Sequence, residues 1–556
     1  MPEAAAVTDP GVTAAYRQDM AGFCASGVPA VLVFPVTVEQ VRHVLRCATA
    51  LRVPVVPQGA RTGLSGAANA VDGCILLSLV RMNKIVEIDP VNRIAVVEPG
   101  VVNADLSRAV GEHGLSYPPD PSSWESCTIG GNIGTGSGGL CCVKYGTTSE
   151  YVLGLDVVLA NGDLLRTGRR TAKGVAGYDL TRLLVGSEGS LGVVVGATLA
   201  LRPKPPPQLA LAAEFPSTEA ACAAVCAVME AGFTPALMEL MDTVSVRAVN
   251  AMARMGLPDS TAALLLIAFD TLDPLADLAA AGQICTMAGA SEVVPAADSA
   301  ESELLLQARR LSLTAMDRLG TTMVDDVAVP RTALAAMISG VAEIAERFGL
   351  TIGVAAHAGE GNTHPVVVFD ADDPDESARA RESFDAIMAL GLSLGGTITG
   401  EHGVGLLKRD WLAKELGPVG LALQRRVKTA FDPLSILNPG TVFQQRPVGG
   451  QAGRGPTGLY APSRWNRGAP GGILSSHALK SALMRTETPP LRVPAERQEA
   501  CATALAPPDG EALLDPLRGC PRRCQQPQLG LAVRTRQSTP AGTVEHAVKD
   551  AVPGDD

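Results

Sequence analysis

Three of the seven histidines fall in two short glycine-flanked segments, and these carry the residue types most able to do chemistry. The first is Val354-Ala355-Ala356-His357-Ala358-Gly359-Glu360-Gly361-Asn362-Thr363-His364-Pro365. The apolar run 352–356 reads as a strand entering and 366–369 as a strand leaving. A four-residue hairpin loop at 359–362 would set Ala358 opposite Thr363 and His357 opposite His364. Directly opposed residues hold their Cβ atoms about 5 Å apart, close enough for two imidazoles to share a metal. The second segment, Gly395-Gly396-Thr397-Ile398-Thr399-Gly400-Glu401-His402-Gly403-Val404-Gly405, sets a carboxylate beside a histidine. Two His and one carboxylate leave open positions on a divalent ion, as catalysis requires. On spacing alone, two unconnected loops with buried, hydrogen-bonded histidines remain the alternative.

A different chemistry is written in two glycine-rich stretches. Gln58-Gly59-Ala60-Arg61-Thr62-Gly63-Leu64-Ser65-Gly66 lets successive backbone N–H groups converge on an anion, with Arg61, Thr62 and Ser65 as further donors. Thr128-Ile129-Gly130-Gly131-Asn132-Ile133-Gly134-Thr135-Gly136-Ser137-Gly138-Gly139 repeats the composition. Neither matches the dinucleotide fingerprint or the Lys-Ser/Thr phosphate loop. One such loop would read as a tight turn; two in one domain favour a pyrophosphate.

These loops need elements to hold them. Thr37-Val38-Glu39-Gln40 fits a capping box, and Val41, Val44, Leu45, Ala48 and Leu51 follow at helical spacing. Val53–Pro57 reads as the strand that delivers the first loop. The run Leu201-Arg202-Pro203-Lys204-Pro205-Pro206-Pro207 marks a seam between domains. Residues 444–556 hold 14 of the 40 prolines and carry net +4 (14 basic, 10 acidic), against −15 for residues 1–443 (32 basic, 47 acidic). No sustained apolar periodicity runs through that tail, so it is expected to have little order, and cutting after about Phe443 is expected to spare the catalytic unit. Cys520 and Cys524 in it are too few ligands for a metal site. The expected plan is thus an α+β cofactor domain over 1–205, an α+β substrate or cap domain over 206–443, and a low-order Pro/Arg/Gly-rich tail over 444–556.

Composition narrows the partners. A net charge of −11 and 3% aromatic residues argue against nucleic acid. The longest apolar runs, such as 262–269, fall far short of a membrane span, and the first residues lack the pattern of a secretory signal. Twelve cysteines in 556 residues, two of them adjacent at Cys141-Cys142, suggest thiols in a reducing cytoplasm.

The glycine stretches, with Pro118-Pro119-Asp120-Pro121-Ser122-Ser123, Gly177-Tyr178-Asp179-Leu180 and Gly186-Ser187-Glu188-Gly189-Ser190-Leu191-Gly192-Val193, resemble the PCMH-type FAD-binding domain of the vanillyl-alcohol-oxidase-like flavoproteins. Within these, the chain is similar to the branch of glycolate oxidase FAD subunits, D-lactate dehydrogenases and D-2-hydroxyglutarate dehydrogenases, over about residues 16–443. The histidine segments resemble that branch's His-x-Gly-Asp-Gly-Asn-x-His and Gly-Glu-His-Gly motifs, with Glu360 in place of the usual Asp. Leu437-Asn438-Pro439-Gly440 resembles its closing motif.

The resemblance implies a two-subdomain FAD-binding domain followed by an FAD-linked oxidase C-terminal domain. It implies FAD held by Pro57, Gly59, Ala60, Arg61, Thr62, Gly63, Ser65 and Gly66; by Pro119 and Asp120; by Thr128, Gly130, Gly131, Asn132, Gly134, Thr135, Gly138 and Gly139; and by Glu188, Gly192 and Val193. No His stands in the first loop, and His43 and His113 sit in ordinary helical surroundings, so FAD is expected to be non-covalent. His357, His364 and Glu401 would ligate a divalent metal, Zn or Mn, with His402 as base and Asn362 on the substrate. Arg309, in Gln307-Ala308-Arg309-Arg310, would hold the substrate carboxylate; Leu306 stands where relatives carry Trp. The implied activity is oxidation of a D-2-hydroxy acid, such as D-lactate or glycolate, to the 2-oxo acid by hydride transfer to flavin N5. Electrons would pass to a quinone, cytochrome, electron-transfer flavoprotein or iron–sulfur subunit, with a peripheral place at the membrane through such a partner left open. The alternative is a non-catalytic flavin-binding subunit of an electron-transfer complex.

Overall fold

The computed structural model describes residues 5–254, 256, 258, 260–444 and 475–484. Residues 1–492 form one compact unit; Cys520 and Cys524 lie outside the described residues.

The cofactor half carries two sheets. In the first, the strands Val31–Val33 and Val55–Gln58 flank Ile75–Ser78 in parallel, with Ala6–Val7 antiparallel at the edge. Val38–Leu51 is the helix expected after Thr37, whose Oγ1 accepts the Gln40 N–H at 3.3 Å. Gln40 Oε1 reaches back one residue further than the capping box requires, accepting from Val36 N at 2.7 Å. The buried stripe Val41, Val44, Leu45 and Ala48 lies on the first sheet. The second sheet is antiparallel, in the order Ile85–Asp89, Ile94–Val97, Val193–Ala200, Val152–Val158, Leu164–Gly168.

The 128–139 stretch is not a loop throughout. Ile129–Thr135 is a short helix, despite three glycines, because Thr128 caps it by accepting the Gly131 N–H at 3.4 Å.

Past the proline seam, the second half is one large antiparallel sheet. Its strands run Glu292–Pro295, Leu209–Phe215, Ala263–Phe269, Leu237–Asp242, Thr351–His357, Asn362–Phe369, Thr321–Val324, and Val327–Ala328 also pairs with Asn362–Phe369. Alternation along the strands divides it into two faces. One packs on the helices Thr218–Glu230, Pro274–Met287, Leu334–Phe348 and Pro374–Ser393. The other, carrying Leu237, Met241, Ala355, Val366 and Val368, packs on Thr243–Ala253, Ser299–Arg310 and Ser312–Asp317. Period two places Glu239, His357 and His364 on that second face.

The two halves interlock at the end of the second. Val55 N donates to Ile436 O and Asn438 N to Val55 O, each at 2.8 Å, so the closing segment pairs with a strand of the first sheet. The tail expectation needs a correction. Ser476–Met484 is helical, and Leu479 and Leu483 are buried in the first core against the Val38–Leu51 helix. Two apolar residues four apart suffice to dock a nine-residue helix of about two and a half turns, too short a pattern to stand out in a Pro-rich stretch. Cutting after Phe443 therefore removes part of the first core, and the remainder of 445–556 lies outside the described residues.

Candidate active site

The hairpin carrying the first two histidines turns through Ala358–Gly361, one residue earlier than the sequence suggests. The register sets His357 opposite Asn362 and Ala355 opposite His364. The two histidines are diagonal rather than directly opposed, yet they keep a common face because the shift is even. Their ring centroids lie 5.0 Å apart. Asn362 stands between them on the same face.

The Gly400–Gly403 loop meets this face from above. Glu401 Oε1 lies 3.2 Å from His357 Nε2, 3.1 Å from His364 Nε2 and 3.5 Å from His402 Nε2. The His364 and His402 rings stack at 5.1 Å. Burial pushes the Glu401 carboxyl up, but the three imidazoles overcome this and hold it well below the usual carboxylate range. Burial pushes His357 down, while the Glu239 and Glu401 carboxylates hold it well above its ordinary value. His364 is lowered by burial. Burial also depresses His402, but the Asp326 charge and Glu401 raise it overall.

Two carboxylates absent from the sequence reading organise the site. Asp326 is buried, and its Oδ2 accepts from Thr399 Oγ1 (2.7 Å) and from the backbone N–H groups of Gly400 (3.0 Å), Glu401 (3.1 Å) and His402 (2.9 Å). Its Oδ1 and His364 Nδ1 are 3.9 Å apart, each without a hydrogen bond among the described residues. Behind it, Lys408 Nζ donates to Asp326 O at 2.7 Å and pairs with Asp325 at 3.3 Å. Glu239, directly opposite His357 in the sheet register, accepts from His357 Nδ1 and from Arg309 Nε, both at 2.8 Å. The only prior sign of either was a charge inside an apolar run: Glu239 interrupts Leu-Met-x-Leu-Met, and Asp326 stands before Val-Ala-Val.

A cleft of about 2060 Å³, including its open mouth, runs from the glycine stretches to this cluster. Ligand pockets are commonly about 300–1,000 Å³, and without its open mouth this cleft, at about 470 Å³, falls within that range. Of the expected cofactor residues it is lined by Pro57, Gly59 to Gly63, Thr128, Gly130, Gly131, Asn132, Gly134, Thr135, Glu188, Gly192 and Val193, and of the catalytic ones by Arg309, His364, Glu401 and His402. Gly59 needs no side chain for a plain reason: a Cβ there would meet Thr128 Oγ1 at 2.3 Å, so the two stretches close on each other only through glycine. A Cβ on Gly138 would meet Glu401 Oε2 at 2.5 Å.

Several expected cofactor residues do other work. Ser65 Oγ donates to His402 O at 2.9 Å, tying the first loop to the His402 segment, and Gly66 packs against Cys24 and Leu406. Pro119 O accepts from Asn103 Nδ2, and Asp120 accepts from Cys141 N while packing against Gly139. Glu188 lines the cleft but spends its carboxylate on Val404 N (2.6 Å) and Gly405 N (2.9 Å). Pro121, Ser122, Ser123, Ser126, Ala67 and Ala68 line the cleft and were missed. His43 faces Leu483 O at 3.0 Å, and His113 is exposed. The nine described cysteines are free thiols. Among the described residues, no helix is long and apolar enough to cross a membrane.

Two donor sets therefore share one cleft: a glycine-built cradle of backbone N–H groups and hydroxyls, and a His/Glu/Arg cluster on the large sheet of the second half. That combination fits a two-domain oxidoreductase with a dinucleotide cofactor. Residues 29–168 match a family described as an FAD binding domain, and residues 204–442 match the C-terminal domain of FAD linked oxidases. The glycolate oxidase subunit GlcD of Bacillus subtilis is 42% identical over 421 residues, covering 75% of this chain and 89% of that one. The mitochondrial cytochrome-type D-lactate dehydrogenase of Arabidopsis thaliana is 34% identical over 424 residues, 75% of this chain and 74% of its own. The solved structure of p-cresol methylhydroxylase with substrate bound, 20% identical, covers 80% of this chain and 95% of its own with a TM-score of 0.65, which speaks to the fold. The chain belongs to the FAD-linked oxidases. It is an FAD-dependent oxidoreductase.

Proposed function

We propose that the protein oxidises a D-2-hydroxy monocarboxylic acid to the 2-oxo acid. The observation that carries this is the convergence of three imidazole Nε2 atoms on one carboxylate oxygen, beside a guanidinium in the same cleft as the cofactor cradle. Arg309, oriented by Glu239, presents a planar fork that suits the substrate carboxylate. Asn362 Oδ1 is buried and without a partner among the described residues, and it packs against Gly400 behind the lining of the cleft. His402 accepts the hydroxyl proton as the Cα–O bond becomes a carbonyl; its charge partners keep the imidazolium that results stable. FAD, when bound, supplies the two-electron acceptor that takes the Cα hydride at N5.

His357, His364 and Glu401 fit a divalent ion, Zn or Mn. Their ligand atoms lie within 4.8 Å of one another, and the side chains are at least nine-tenths buried. The orphaned His364 Nδ1 and Asp326 Oδ1 are the outer partners such a ligand needs. Such an ion supplies Lewis-acid stabilisation of developing negative charge on the substrate oxygen.

The wall beside Arg309 is Leu313, Val324, Ala355 and Val366. Arg61, the other Lys or Arg in the lining, is engaged with Ala15 O and the Tyr16 ring on the cradle side. This supports a short aliphatic side chain over a second carboxylate. The relatives named for glycolate and D-lactate agree with that reading, and flavin electrons then pass to an external acceptor.

The test is anaerobic flavin bleaching with D- and L-lactate, glycolate, D-2-hydroxybutyrate and D-2-hydroxyglutarate, before and after exhaustive chelation. Rapid bleaching by a monocarboxylic D-acid, lost on chelation and in His364→Ala but with the oxidised flavin spectrum intact, is expected. A metal-free protein that is fully reduced, or preference for the dicarboxylate, refutes it.

A further inference from the structure

Glu239 is 1% exposed and lies in the middle of the catalytic sheet, in a strand whose other residues are all buried. A carboxyl group buried in such a place needs hydrogen-bond partners, and it has two. Its Oε1 faces His357 Nδ1 and its Oε2 faces Arg309 Nε. Arg309 comes from the Ser299–Arg310 helix, which covers this face, while His357 comes from the neighbouring strand.

We propose that Glu239 is a positioning residue that couples the metal site to the substrate-carboxylate site, setting the tautomer of His357 and the orientation of Arg309 with one carboxylate. This rests on the hydroxy-acid reading above. Both partners must donate to it. A guanidinium Nε–H only donates, so in this buried place it needs an acceptor. With Nδ1 engaged by Glu239, Nε2 is the ring nitrogen turned toward Glu401 and the one that would serve a metal. Movement of the Ser299–Arg310 helix or loss of either bond would therefore be felt at both sites.

Glu239→Gln is isosteric but offers one acceptor and one donor where two acceptors are needed. If the amide oxygen serves Arg309, the amide NH₂ confronts His357 Nδ1 and drives its hydrogen to Nε2, removing the metal lone pair. If it serves His357, the guanidinium loses its tether. The measurements are Mn²⁺ affinity by competition with a chelator, and the Kd of propionate from perturbation of the oxidised flavin spectrum. Propionate has the carboxylate without the hydroxyl, so it reads Arg309 and not the metal. Glu239→Gln is expected to weaken Mn²⁺ by 10- to 100-fold or propionate by at least tenfold. In an Arg309→Ala background it should leave propionate unaffected further, while the Mn²⁺ deficit remains wherever the single variant showed one. Unchanged Mn²⁺ and propionate affinities with only a lower thermal midpoint would make Glu239 a plain structural ion pair and overturn the proposal. Should the Gln variant not fold, Glu239→Asp keeps the charge but cannot span both partners; both affinities intact in it overturn the proposal equally. A wild type that holds no metal yet reduces its flavin is recognised in the control itself, and defeats the function reading as well as the coupling.

Discussion

Asp326→Asn is the sharpest perturbation of the catalytic loop, because it changes one charge and almost no volume. The Asp326 carboxyl is pushed up by burial, but Lys408, His402 and His364 more than reverse this and hold it well below the usual range, so it is ionised throughout the working pH. All four hydrogen bonds to Oδ2 are therefore charge-assisted. Bonds to a charged group are each worth roughly 1 kcal/mol more than neutral ones, so the amide forfeits roughly 4 kcal/mol, partly offset by easier burial. The loss falls on the backbone of Gly400, Glu401 and His402. Asp325→Asn is the control: that carboxylate meets Lys408 and Asp326 N and touches no loop N–H. Urea unfolding and anaerobic single-turnover reduction by D-lactate are measured on both. Asp326→Asn should lose roughly 3–4 kcal/mol of stability and at least a hundredfold in reduction rate while keeping its flavin, whereas Asp325→Asn should lose stability alone. An Asp326→Asn protein reduced at the wild-type rate would show that the loop does not depend on this carboxylate.

Three further outcomes are expected. The first loop holds no His, so acid precipitation should leave FAD in the yellow supernatant; flavin retained in the washed pellet contradicts this. Leu479→Ala and Leu483→Ala should each cost about 2–5 kcal/mol in urea unfolding, as buried Leu truncations do, and an unchanged midpoint would mean that the 476–484 helix is not docked. Glu188 is pushed up to about 7 by burial, which outweighs its two backbone donors. Folded protein thus keeps the Glu188 proton where the unfolded chain has lost it, and stability present below about pH 4.5 falls as pH rises through 7. Glu188→Gln removes that dependence, so wild type should lose roughly 2–3 kcal/mol relative to the variant between pH 5 and pH 8; parallel profiles would refute the shift.

The chemistry was more legible than the scaffold that aims it. His357, His364, Glu401 and His402 were picked out because histidines, scarce in this chain, stood in glycine-flanked segments resembling a family's motifs, and Arg309 by its position in that resemblance alone. The hairpin was off by one residue in its turn and two in its register, and the two histidines still share a face because side-chain parity did not change. Glu239 and Asp326 were invisible for a physical reason: a lone carboxylate in an apolar strand has meaning only once the facing strand is known. The proline seam was readable, while the return of Ile436–Asn438 to the first sheet and the docking of Leu479 and Leu483 were not, since long-range pairing leaves no local pattern. The short helix at Ile129–Thr135 was hidden by glycines whose weak propensity one threonine cap outweighed.

The closing segment has a consequence for how the chain is made. Asn438 Nδ2 donates to Ala67 O and Glu188 O, both on the cofactor side, at 2.8 and 2.7 Å, and Lys428 Nζ donates to Ser190 O at 2.7 Å. A ribosome delivers residues 1–205 long before these partners emerge, and domains tend to fold as they leave it. The first half cannot complete its own loop anchors at that stage, because Val55, Ala67, Glu188 and Ser190 wait for residues about 240 to 380 positions downstream. A nascent or prematurely ended chain lacks the last struts of the cradle, so flavin colour is expected only of polypeptides long enough to carry His357, His364 and His402 too.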